Sequence, residues 1–210
     1  MEVIVSLLRS VAPAFAILAA SPLAFAGAGD YRFDPVHTQI LFAADHLGFS
    51  HPQGRLHVKS GFIHFDSGDW AASKVDAVID TASLDMGDAA WNAKLHSWEF
   101  LDTGKYPTAH FVSTAVEKTG ERSGVVHGQF TLRGVTRPLD LAITFNRAGA
   151  DPYSLKYTAG FSATATLKRA DFGMKKYLPD VGDKVDIHIE AEGLRDRDAQ
   201  EQAAHDGTEH

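Results

Sequence analysis

The amino-acid sequence predicts an all-β fold, an eight-stranded antiparallel sheet closed as a barrel with one inserted α-helix. Three observations predict it. From Tyr31 onward apolar and polar residues alternate with a period of two, the pattern of strands with one face in a core and one in water. Short connections punctuated by glycine, such as Gly120, Gly134 and Gly149, separate the alternating runs, as consecutive antiparallel strands require. One segment alone changes to helical spacing. Closing such a sheet into a barrel removes its edges.

Residues 11–26 read VAPAFAILAASPLAFA, follow a segment carrying Arg9 and end in Ala24-Phe25-Ala26. This is the pattern of a cleavable signal peptide over residues 1–26, and it implies export to the periplasm. Pro13 and Pro22 interrupt the apolar run, which is shorter than the ~20 residues of a membrane-spanning helix. Strands are then expected near 38–46, 55–65 and 74–80, with Gly61 marking a bulge or bend inside the second. Asp88 to Phe100 is the helical segment. Trp91, Leu95 and Trp98 fall on one face, Asp88 is placed to cap the start, and Gly104 with Pro107 closes it. Strands resume near 108–117 and 124–133. They continue through Leu139–Phe145 and Ala159–Leu167 to Val185–Ala191, where every odd position is apolar. After Leu194 the chain turns polar, and residues 195–210 are expected to be a disordered tail. The folded domain thus spans 27–194. An outer-membrane barrel is the weaker alternative, because the aromatic residues lack girdle spacing and a charged tail follows the last strand.

Composition narrows the chemistry. The 210 residues include no cysteine, which excludes disulfides, Cys-ligated zinc, iron–sulfur clusters, a thiol nucleophile and a lipidated cysteine. A formal charge of −7 argues against nucleic acid as a partner. No Gly-x-Ser-x-Gly occurs, and Asp171-Phe172-Gly173 stands without the phosphate loop and catalytic loop that would make it a kinase motif. His37, His46, His51, His57 and His64 crowd one region, but no helical His-x-x-x-His or other diagnostic spacing points to a metal. No cofactor is expected.

Several stretches in order resemble one family. They are Tyr31-x-x-Asp34-x-x-His37-Thr38 with Phe42 and His46, Gly61-Phe62, Ser83-Leu84, and Phe100-Leu101-Asp102 with Lys105-Tyr106-Pro107. Phe111-Val112-Ser113, the GQFTLRGVTRP run over 128–138, and Arg169-Ala170-Asp171-Phe172-Gly173 complete the set. Together they resemble the YceI-like polyisoprenoid-binding family across about residues 31–194. The resemblance implies a lipocalin-like barrel with the helix near its mouth. It also implies an exported, non-enzymatic binder of long amphiphilic lipids such as isoprenoid quinones, held in an elongated apolar pore. One segment departs from the family. Many members read Arg-Asp-x-His-Leu where this chain has Trp91-Asn92-Ala93-Lys94-Leu95, so head-group contacts made there elsewhere do not transfer.

A lipid pore needs aromatic and aliphatic walls with few polar groups. The candidate lining residues are Phe42, Phe62, Leu84, Phe111, Phe130, Leu132 and Phe161 from strands. Trp91, Leu95, Trp98 and Phe100 are expected to cover the mouth. Ile40, Phe42, Ala44 and His46 share one strand face, so His46 is expected inside, near a barrel end. Lys168, Arg169, Lys175 and Lys176 form a basic cluster suited to a head group. The expected partner is the lipid itself, with transient contact to a membrane or membrane protein and a dimer left open. Two other classes stay in view: a lipid-modifying enzyme using His46, and a ligand-free interaction module serving a membrane redox or stress system.

Overall fold

The computed structural model describes residues 27–199 and residue 202, so the expected signal peptide lies outside the described residues. Nine antiparallel strands form one sheet: β1 (Gly29–Phe33), β2 (Gln39–His46), β3 (Gln53–Phe65), β4 (Lys74–Asp85), β5 (Thr108–Lys118), β6 (Ser123–Leu132), β7 (Val135–Ala150), β8 (Tyr157–Lys168) and β9 (Val181–Arg195). The order β3-β2-β9-β8-β7-β6-β5-β4, with β4 returning to β3, closes the barrel.

The ninth strand does not add a stave. β1 and β2 lie end to end between β3 and β9, since Tyr31 pairs with Ile63 and Arg195 while Ile40 pairs with Leu56 and Ile189. The break is an Asx turn. The Asp34 carboxylate accepts from the amides of Val36 at 2.8 Å and His37 at 3.2 Å, and the Thr38 amide returns to the Asp34 carbonyl at 2.9 Å. The eight-stranded barrel is therefore present, with one stave split in two.

The antiparallel succession sorts the connections into two ends. Those joining β2 to β3, β4 to β5, β6 to β7 and β8 to β9 gather at one end, called here the mouth. The β4–β5 connection carries the helix α1 (Ala89–His96), whose N-terminus is capped by the Asp88 carboxylate accepting from the Trp91 amide at 2.9 Å. The helix is shorter than the spacing of Trp91, Leu95 and Trp98 predicts. Ser97 adopts an extended conformation and its hydroxyl donates to the Lys94 carbonyl at 2.7 Å, which ends the helix before Trp98.

At the opposite end the barrel is plugged. Phe65 meets Trp70 edge-on at 5.5 Å and Phe161 at 5.0 Å, and Phe145 lies 4.8 Å from Phe65. Such tilted and edge-to-face pairs suit the ring quadrupoles. Trp70 enters from a 3-10 turn, Trp70–Ala72, capped by Asp69. Gly124 makes room for it, since a Cβ there would come within 2.7 Å of the indole. Tyr31 is fully buried beside this plug, and burial pushes its phenol pKa up. The start of the expected polar tail is folded against the same end. Arg195 is in β9, the Asp196 amide donates to the Asp30 carbonyl at 2.9 Å, and Ala199 is buried.

Candidate functional site: an apolar cavity open at one end

Period-two alternation sends one side chain in two to the barrel interior, and those side chains enclose a cavity of ≈ 450 Å³ whose surface is overwhelmingly apolar. This lies within the ~300–1,000 Å³ of small-molecule sites. Of the strand residues expected to line a pore, Phe42, Leu84, Phe111, Phe130, Leu132 and Phe161 do so. His46, Trp91, Leu95 and Phe100 line its upper part at the mouth. Alternation also brings in Leu139, Leu141, Ile187 and Ile189, which carry the same signal without being aromatic.

Phe62 is not on the cavity wall, and the reason is the bulge that Gly61 marks. In β3 the pairing runs Val58 to Ile79 and then Ser60 to Val78, leaving Lys59 as an extra residue. The inward set therefore changes phase, from Leu56 and Val58 to Ile63 and Phe65. Unbroken alternation from Leu56 would have placed Phe62 inside. Gly61 has φ 130°, and a Cβ there would overlap the Asp76 carbonyl oxygen. Only glycine fits.

Trp98 also lies off the cavity, 63% exposed, because the helix has ended before it. Its ring carries the Lys176 ammonium at 5.2 Å, and its carbonyl accepts from Arg133 at 3.2 Å. The basic cluster divides. Lys168, Lys175 and Lys176 are exposed and outside the lining. Arg169 is buried and reaches the cavity, but its guanidinium donates to three backbone carbonyls: Met174 at 2.7 Å, Val181 at 2.7 Å and Gly182 at 2.8 Å. Desolvation lowers its pKa, and Phe100 lies 5.7 Å beneath it. Arg169 fixes the β8–β9 connection over the mouth.

The segment that departs from the family builds a polar clasp there. Lys94 pairs with Glu99 and donates to the Tyr177 hydroxyl at 2.6 Å, and that hydroxyl donates to Glu99 at 3.1 Å. The Glu99 carboxylate holds the Lys94 pKa above its ordinary value, and Lys94 holds Glu99 below its own. Tyr177 stacks on Phe100 at 5.9 Å. The clasp thus joins the α1 segment to the β8–β9 connection, with Lys94 and Tyr177 both on the cavity. Tyr177 carried no sequence signal, since it lies in a loop without periodicity. Asn92 braces the start of α1, accepting from the Met86 amide at 2.7 Å and donating to Asp85 at 3.1 Å.

His46 points inward as its strand phase requires, and its ring meets the Trp91 indole at 6.1 Å. The neighbouring acid, Asp45, is turned to the Gly48 amide at 3.1 Å and toward His51 at 3.8 Å. Histidines on the outer wall pair with carboxylates instead: His64 with Asp30 and His110 with Asp76 at 2.7 Å, and His127 with Asp140 and His188 with Glu190 at 2.8 Å. Asp34, His37 and Glu192 bring possible ligand atoms within 4.8 Å of one another, but the Asp34 carboxylate is already committed to the turn that splits the first stave.

Comparison with known proteins agrees with this construction. The YceI-like domain profile matches residues 31–193. A "UPF0312 protein" of Vibrio vulnificus strain YJ016 is 39% identical over 189 residues, covering 88% of this chain and 97% of that one. Among solved structures, Burkholderia cenocepacia BcnA has the same fold, with a TM-score of 0.67 at 24% identity over 76% of this chain and 98% of that one. A domain from Saccharophagus degradans, described as polyisoprenoid binding and implicated in plant cell wall breakdown, superposes with a TM-score of 0.58 at 15% identity, covering 79% and 98% of the two chains. The chain belongs to the family of YceI-like domains.

Proposed function

We propose that this protein binds a long-chain isoprenoid, such as an isoprenoid quinone or its precursor, and stores or ferries it through the periplasm after export. The observation that carries this reading is a ≈ 450 Å³ apolar cavity closed by an aromatic plug at one end and edged with polar groups at the other. An amphiphile has the matching polarity. Its tail gains about 0.8 kcal/mol for each methylene removed from water. Its head is left at the mouth, among His46, Lys94 and Tyr177. Because a membrane offers the tail a similar environment, the net preference is small, which suits reversible loading. The description of the Saccharophagus neighbour as polyisoprenoid binding supports the same ligand class.

Native mass spectrometry of the protein recovered from its own periplasm tests this. An intact prenyl lipid, released by organic solvent and regained from added polyprenol or quinone, is expected. Protein that arrives empty and takes up neither compound would overturn the proposal.

A further inference from the structure

The mouth carries most of the large apolar side chains exposed among the described residues. Among the described residues, six large apolar side chains are exposed at this end: Leu47, Phe49, Trp91, Trp98, Tyr177 and Leu178. Phe49 is 87% exposed and Trp98 63%. They come from three connections that touch one another. The Leu47 amide donates to the Asp180 carbonyl at 2.7 Å, Lys94 to Tyr177 at 2.6 Å, and Lys176 lies over Trp98. The rim is therefore one surface, and a contiguous apolar rim around a cavity marks an interaction site.

Its charges indicate the partner. Lys175 and Lys176 project into solvent from the same connection as Leu178, and Lys168 stands directly across the sheet from Lys184. Asp186 already meets Lys184 at 2.9 Å, and Lys168 stays exposed beside it. Three acids at this end accept from backbone amides, Asp85 from Gly87, Asp88 from Trp91 and Asp183 from Ala170, while Asp171 and Asp180 are exposed. Lys175 and Lys176 thus stand side by side next to exposed aromatic rings on a protein whose overall charge is −7.

We infer that the mouth docks on the surface of an anionic phospholipid bilayer. Phe49, Trp98 and Leu178 enter the interface while Lys175 and Lys176 meet lipid phosphates. Aromatic rings and lysines are the groups that settle at that depth. This inference rests on the lipid-carrier reading and adds where loading occurs: the pore opens onto the bilayer, and the tail passes without crossing water.

Vesicle binding tests it. The native chain should partition onto phosphatidylethanolamine–phosphatidylglycerol vesicles and far less onto phosphatidylcholine. Brominated lipid should quench Trp91 and Trp98 and spare the buried Trp70. K175E with K176E, and separately F49S with W98S, should each weaken partition by about ten-fold or more, with thermal melts matched to the native chain. Y153S with L155S, exposed residues at the plugged end, should change nothing. Equal partition onto both vesicle types, or an equal loss in the plugged-end variant, would overturn the inference. If that happened while native mass spectrometry still found lipid in the barrel, docking alone would fall.

Discussion

Trp70 and Trp98 sit at opposite ends of one barrel, 4% and 63% exposed. Trp70 is enclosed by Phe65, by the space that Gly124 leaves for it and by the Lys118 ammonium at 5.4 Å. Trp98 has one cation on its face and is otherwise largely open to solvent. The plugged end is held by hydrophobic burial, which is non-directional and resists opening. The mouth also has a buried base, where Phe172 and Met174 pack with Ile79 and Leu132 and buried Arg169 binds three carbonyls. Only its outer layer, the contacts of Lys94, Glu99 and Tyr177, rests on part-exposed polar groups, which contribute little net stability. Burial thus holds both ends, and the mouth adds an outer layer held by polar contacts. A carrier of the kind proposed would open through that outer layer while the buried base holds the fold.

The largest expected effect comes from breaking the plug. Trp70→Ala should cost about 4 kcal/mol in chemical denaturation, whereas Trp98→Ala should stay within about 0.5 kcal/mol. Comparable losses from the two would erase the contrast between the ends. A smaller effect is expected where β3 changes phase. Gly61→Ala forces a side chain into a left-handed conformation and against the Asp76 carbonyl. The expected cost is about 3 kcal/mol, and hydrogen exchange should show protection lost first along the β3–β4 pairing.

The smallest effect concerns the wall between the ends, as a shift with pH. The Asp140 carboxylate, through its hydrogen bond, raises the His127 pKa above 6.5, and Asp34 does the same for His37. A folded-state pKa above the unfolded one gives stability that is full below the unfolded value and lost as pH rises through the folded value. The denaturation midpoint should therefore lose a contribution as pH rises through 6.5 and above. His127→Gln should reduce that slope; an unchanged slope would remove His127 from the account.

Much of this was legible in the sequence, because period two is a property of the backbone. Alternation assigns Phe111, Phe130, Leu132 and Phe161 to the interior without knowledge of any partner strand. Phe62 shows where the rule stops. Gly61 announced a bulge, but the position of the extra residue, and hence the phase beyond it, is set by pairing with β4. Trp98 shows a second limit. Spacing of four and three is necessary for a helical face, yet the Ser97 hydroxyl ends the helix one residue earlier. The clasp was hidden more deeply. Lys94 and Tyr177 are 83 residues apart, and loops without periodicity carry no signal of what they meet. The split first stave depends in the same way on β3 and β9, to which both its halves pair.

In the proposed complex a lipid tail lies within the barrel, pointing toward the plug, with its head at the mouth. Photocrosslinking with two prenyl probes tests it most directly, one carrying the photophore at the tail tip and one beside the head group. Tail labels are expected on Phe111, Phe161 or their inward neighbours, and head labels on Trp91, Leu95 or Tyr177. Labels confined to the outer wall, or the two patterns exchanged, would contradict it.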